Sequence, residues 1–310
     1  MPDQSGDQRP LAVETINLRK VYGRKVAVEG LTLTVTCGEV FGFLGPNGAG
    51  KTTVVKILMG LVYPTAGTAR LLGEPIGNVA AKRRIGFLPE LFRFPDWLRA
   101  DELLDFHGQL AGLERHERRR RIVEVLDLVG LSSRANDRLR TFSKGMLQRI
   151  GLAQAILADP DVVFLDEPTS ALDPLGRREV RDIIRHLKQQ GKTVFLNSHL
   201  LSEIELVCDR VAIIDRGHVV SEGSLQKLLE RQEVEVRVEA PTEALFQALA
   251  SRYQVLHRDG SLLTLRVENR DRIPEIADLV VRSGARLYGL SARRTSLEDL
   301  FAEVVERGSD

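Results

Sequence analysis

The sequence predicts an α/β fold: a mostly parallel core sheet over the first two thirds, then a smaller α+β segment. Three observations carry this expectation. From Val13 to about Glu222, strand-like and helix-like stretches alternate, the order of a sheet whose strands are joined by helices. Val40–Leu44 and Val162–Leu165 are short runs without a polar residue, as in strands buried on both faces. Beyond about Gln232 the order changes to β-α-β-β-α-β-α, which resembles a ferredoxin-like unit with an appended helix.

Taken in order, residues 1–12 read as a flexible tail. Met1 to Pro10 is polar and lacks the apolar stretch of a signal peptide. Thr32, Thr34 and Thr36 alternate with Leu31, Leu33 and Val35, a half-buried strand. The run Val40–Leu44 leads through a glycine-rich turn into a helical pattern of Val54, Val55, Ile57, Leu58 and Leu61. Residues 97–130 read as helices, one through Leu103, Leu104 and Phe106, the next through Ile122, Val125, Leu126 and Val129. Strands follow at 162–165, 194–196 and 211–214, separated by helical stretches near 176–190 and 200–207. This first domain is expected to span 13–225, and a second 233–310. In the second, residues 233–238 alternate strictly, Asp259-Gly260 marks a hairpin, and helices are expected over 243–252, 273–282 and 297–306.

Composition narrows the function classes. The chain has 310 residues, enough for about two domains, and its 44 Lys+Arg against 43 Asp+Glu leave a formal net charge of +1. That balance argues against bulk electrostatic binding of nucleic acid, and no nucleic-acid partner is expected. It is a sum of unlike halves: residues 233–310 hold 11 Arg and 14 acidic residues without a lysine, net −3, against +4 for the rest. Cys37 and Cys208 fit neither a disulfide framework nor a zinc site, so a reduced, cytoplasmic setting is expected. No apolar run reaches the roughly 18 residues of a membrane span. Work at a membrane would therefore need a partner.

Gly45-Pro46-Asn47-Gly48-Ala49-Gly50-Lys51-Thr52 fits G-x-x-x-x-G-K-[ST], with a buried strand before it and a helix after it. Phosphate needs converging backbone N–H groups with no side chain in the way, hence the glycines. The helix start adds free N–H groups and partial positive charge. Lys51 is placed to reach the β- and γ-phosphates and the Thr52 hydroxyl to meet Mg²⁺, with Thr53 completing the loop. The pattern is that of a P-loop NTPase. At the end of the second apolar run, 115 residues beyond Lys51, stand Asp166 and Glu167. In such a protein the first carboxylate holds Mg²⁺ and a neighbouring acid orients the attacking water. The long gap leaves room for a helical insertion.

Over residues 13–225 the chain resembles the ATP-binding cassette ATPases, the engines of ABC transporters. Asp166-Glu167-Pro168-Thr169 runs on into Ser170-Ala171-Leu172-Asp173, which matches the family's D-loop through Asp173. Ser143-Lys144-Gly145-Met146 occupies the place of the signature motif, His199 that of the switch histidine, Tyr22 that of the adenine-stacking aromatic and Glu90 the Q-loop. The resemblance implies a RecA-like core sheet with an N-terminal antiparallel β part and a helical subdomain. It also implies ATP and Mg²⁺ as cofactors, the metal held by Thr52, Asp166 and Glu90, with Glu167, His199 and Lys51 catalytic. Ser143 to Met146 are then expected to contact ATP held by a second protomer, in a homodimer or a heterodimer with a related cassette. A separate integral-membrane permease on the cytoplasmic face of the membrane is the further partner implied, and export the direction. The alternative is a soluble ATPase of the same type acting without a permease; the lack of sustained heptads weighs against its DNA-acting members.

Two positions depart from the commonest pattern: Lys144 in the signature, facing phosphate or solvent, and Glu90 where many members carry Gln. Arg118-Arg119-Arg120-Arg121 is read as a solvated helical face, with Glu114, Glu117 and Glu124 nearby. For residues 233–310 a dimer-stabilising or regulatory role is expected.

Overall fold

The computed structural model describes residues 10–170, 172–229, 232–239, 242–267, 270–294 and 296–307. Ala171 of the expected D-loop and residues 1–9 of the expected tail lie outside them. The chain forms two compact units that divide between Glu222 and Gly223.

The first unit begins with two long strands, β1 (Leu11–Tyr22) and β2 (Lys25–Thr36). The strand thus starts inside the segment expected to be tail, because Ala12 is fully buried and Leu11 pairs with Thr36. Next come β3 (Val40–Leu44), α1 (Lys51–Leu58), β4 (Ala66–Leu71), β5 (Glu74–Pro75), α2 (Val79–Lys82) and β6 (Ile85–Leu88). A helical section holds α3 (Ala100–Leu110), α4 (Arg115–Leu128) and α5 (Lys144–Ile156). The unit ends with β7 (Val162–Asp166), α6 (Pro174–Gln189), β8 (Thr193–Asn197), α7 (Leu201–Glu205), β9 (Arg210–Asp215) and β10 (His218–Ser224).

Two sheets result. One is antiparallel in the order β2-β1-β4-β5; the other has the order β10-β9-β3-β8-β7-β6, with β9, β3, β8, β7 and β6 parallel. Every residue of β3, β7 and β8 is buried, as expected for strands built around the apolar runs 40–44, 162–165 and 194–196. Phe195 of β8 lies 5.6, 5.3 and 5.1 Å from the rings of Phe41, Phe43 and Phe164, and this cluster fixes three adjacent strands in register. Their carboxyl ends therefore open side by side, where ligands of open α/β sheets bind.

The second unit contains α8 (Leu225–Leu229), β11 (Gln232–Val238), α9 (Glu243–Ala250), β12 (Gln254–Asp259), β13 (Leu262–Val267), α10 (Ile273–Arg282), β14 (Leu287–Arg294) and α11 (Leu297–Arg307). Its sheet has the antiparallel order β12-β13-β11-β14, the ferredoxin-like arrangement. Val234, Val236 and Val238 turn their side chains into a core with Leu245, Leu249, Ile276 and Val280, so helices α9 and α10 cover that face. Arg266 joins Glu303 of α11 at 3.2 Å and Glu233 at 4.0 Å, which ties the last helix to the sheet.

Candidate active site

The loop after β3 turns on Gly50, which caps α1 at φ 107° without a side-chain hydrogen bond. A Cβ there would run into the Ala27 carbonyl oxygen, so the position demands glycine on two counts. With no side chain capping it, the start of α1 keeps its N–H groups for an anion. Lys51 folds back along the loop, and its buried Nζ donates to the carbonyl oxygens of Gly45 at 2.6 Å and Pro46 at 3.2 Å. Burial holds the Lys51 pKa below the ordinary lysine value, partly offset by the charges of Glu167, Asp166 and Glu90.

Strand β7 delivers Asp166 beside Asn197 of β8, in register. The Asn197 amide donates to Asp166 at 2.5 Å, while its Oδ1 is buried and without a hydrogen-bond partner. Burial pushes the Asp166 carboxyl above its usual range; the Asn197 hydrogen bond opposes this, and the charges of Glu90 and Glu167 add to it.

Glu167 has a left-handed backbone at φ 53°, uncommon for a residue with a side chain and worth about 1–3 kcal/mol of strain. The turn is held by its own bonds: Glu167 N donates to Asn197 O at 2.8 Å, and Ser170 Oγ donates to Glu167 O at 3.2 Å. This conformation turns the chain sharply at the strand end. His199 Nδ1 lies 2.7 Å from Glu167 Oε2, while its ring remains 55% exposed.

These groups meet in one cleft of about 430 Å³, walled by Tyr22, Asn47, Gly48, Gly50, Lys51, Thr52, Thr53, Glu90, Glu167 and His199. Lys25, Ala27 and Asn197 also line it and were not singled out from sequence. The signals were present: Asn197 directly precedes Ser198-His199 at a strand end, and Lys25 and Ala27 follow Tyr22 across a tight turn. Gly45, Pro46, Ala49 and Asp166 are not among the cleft's lining residues.

Ser143, Lys144, Gly145 and Met146 do not line the cleft of their own chain, nor does Asp173. Ser143 Oγ accepts from Met146 N at 3.2 Å and caps α5; Lys144 is exposed at the first helical position. Asp173 caps α6 by accepting from Gly176 N at 2.8 Å. Gly145 packs against Leu172, joining the two segments.

The arginine run is only half a solvated face. Arg119 and Arg120 are exposed, but Arg118 pairs with Asp105, and Arg121 donates to the carbonyl oxygens of Ile156 and Leu157. On a helix, residues three apart share a face, so Arg118 and Arg121 turn inward together. There they clamp α4 to α3 and to the end of α5.

Among the described residues no three His, Cys, Asp or Glu side chains form a metal cluster by themselves. The oxygens of Thr52, Glu90 and Asp166 suit Mg²⁺, a hard ion that takes many of its ligands as water and substrate phosphate. The buried, unpartnered Asn197 Oδ1 beside Asp166 adds another oxygen acceptor at the same place.

Residues 28–170 match the family model described as ABC transporter. An uncharacterized ABC transporter ATP-binding protein of Synechocystis sp. is 45% identical over 96% of this chain and 85% of its own length. The chain belongs to the ABC transporter ATP-binding proteins. The Nod factor export ATP-binding protein I of Burkholderia lata is 36% identical over 94% of this chain and 96% of its own. Among solved structures, the dimeric post-hydrolysis state of the ATP-binding cassette MJ0796 bound to ADP and Pi is 27% identical. It covers 69% of this chain and 98% of that one, with a TM-score of 0.63. The fold is accordingly that of an ATP-binding cassette, and the protein is an ATPase of the ABC type. No helix among the described residues is long and apolar enough to cross a membrane.

Proposed function

We propose that two copies of this chain, or one copy and a related cassette, close head to tail on two molecules of ATP and drive export through a separate membrane permease. The observation that carries this reading is an incomplete cleft. It holds the phosphate loop, Glu167 and His199, while Ser143 to Met146 stay outside it on the same chain. A second protomer supplying Ser143 and Gly145 would complete it.

Within each site the phosphates lie on the N–H groups of the loop and α1, with Lys51 turned from the loop carbonyls toward the β- and γ-phosphates. Thr52, Asp166 and Glu90 would hold Mg²⁺, which would neutralise phosphate charge there. Glu167 accepts a hydrogen bond from the attacking water, and His199 keeps the Glu167 carboxylate aimed while its exposed ring edge meets the γ-phosphate. Water adds to the γ-phosphorus, the bond to the ADP oxygen breaks, and ADP and phosphate leave. Closure on ATP and reopening after hydrolysis are the two states the nucleotide biases.

The permease would dock around Glu90 and the 91–130 region, on the cytoplasmic face of the membrane. Leu91, Trp97 and Phe106 stand exposed there, apolar surface that a membrane partner can cover. The name of the Burkholderia relative favours export. Affinity purification from detergent-solubilised membranes tests the assignment. A polytopic membrane protein should be recovered with the wild-type chain and lost with Leu91→Asp/Trp97→Asp. Recovery of no such protein at all would count for a cassette that works without a permease.

A further inference from the structure

The adenine shelf carries a second residue. Lys20 lies two positions before Tyr22 on β1. The Lys20 ammonium stands 4.9 Å from the centroid of the Tyr22 ring, over its face. It is not loose: Nζ donates a 2.7 Å hydrogen bond to the Tyr63 carbonyl oxygen. Next to it Val21 N donates to Thr65 Oγ1 at 3.0 Å, and Thr65 N donates to Arg19 O at 2.7 Å.

The end of β1 is thus tied by three hydrogen bonds to residues 63–65. That segment follows α1, and the start of α1 is the phosphate loop. Lys20 therefore links the aromatic ring to the element that cradles phosphate. Tyr22 is 46% exposed and borders the nucleotide cleft, and one of its faces is taken by the ammonium. An exposed tyrosine with nothing on its face would rotate about two side-chain torsions and lose that freedom on stacking.

We propose that Lys20 is a positioning residue for the nucleotide base: it holds the Tyr22 ring upright, at a set distance from the phosphate loop, so that the purine stacks on the ring's free face. This rests on the reading of Tyr22 as the stacking aromatic. Lys20 needs no contact with ATP itself. Its effect runs through the ring, which separates it from a plain attraction of phosphate to positive charge.

Equilibrium binding of ATP and of inorganic tripolyphosphate, both without divalent ions, tests this on the full chain. Lys20→Met keeps the aliphatic stem and removes the cation. It should weaken ATP roughly three-fold, the size of an exposed cation–π contact, and leave tripolyphosphate unchanged. Lys20→Arg, still able to stack and to reach the Tyr63 carbonyl, should restore ATP binding. In a Tyr22→Ala background, Lys20→Met should have no further effect. Equal weakening of both ligands would make Lys20 a charge acting at a distance and overturn the proposal. So would a Lys20→Met penalty that persists without Tyr22, or ATP binding that Tyr22→Ala weakens and Lys20→Met does not. If Tyr22→Ala leaves ATP binding intact, the stacking reading fails first, and the role of Lys20 falls with it.

Discussion

At the scale of single residues, the cleft gathers carboxylates beside the glycine-rich loop and Lys51. Asp166 is buried, Glu167 is strained and bonded to His199, and Glu90 adds a third carboxylate to the neighbourhood. Lys51 and the N–H groups of α1 answer it. Because burial and the neighbouring carboxylates raise the Asp166 pKa, falling pH protonates this side chain sooner than an ordinary aspartate, and a protonated carboxyl is a poor ligand for the Mg²⁺ that Asp166 is proposed to hold. Glu90→Gln removes one of the charges that raise it. The acid limb of the Mg²⁺-dependent ATPase profile should then move to lower pH, and a limb that stays put or moves up would uncouple Glu90 from Asp166. Most of the residues that line the cleft were legible in the sequence because each sits in a contiguous motif: the phosphate loop, the acid pair and the histidine at a strand end. Asn197 was not, since a lone Asn at the end of an apolar run carries no signal until its strand is known to lie beside β7.

At the scale of elements, apolar periodicity found the buried strands but missed β1 as a strand. Its pairing with β2 shifts register between Leu11 and Val13 and at three further places, and Asn17 adopts φ 48°. The alternation that marks a strand is therefore broken in the sequence itself. The inward turn of Arg118 and Arg121 was hidden for another reason: four identical residues say nothing about which face is buried until α3 and α5 are placed. The parallel strands depend on the aromatic cluster around Phe195, which touches three neighbouring rings. Phe195→Ala should cost about 3–5 kcal/mol, read as a lower urea midpoint of the nucleotide-free protein. A loss well under 1 kcal/mol would mean that the cluster does not hold β3, β7 and β8 together.

At the scale of the whole molecule, the near-zero net charge conceals two units of opposite sign, and the cleft around the phosphate loop lies in the first. The ferredoxin-like topology of the second unit was readable because β11 and β13 alternate and Asp259-Gly260 sets the hairpin. The site of the first unit is proposed to be completed by another protomer. Glu167→Gln removes the group proposed to accept from the attacking water while leaving ATP contacts in place, so ATP should accumulate bound and the closed assembly persist. The most direct measurement is the mass in solution of Glu167→Gln with saturating ATP and Mg²⁺, beside Glu167→Gln/Ser143→Arg. The first protein should form a dimer with ATP, and the second should remain a monomer that still binds ATP. A Glu167→Gln protein that stays monomeric at saturating ATP, or a double variant that dimerises as well as the single one, would contradict it.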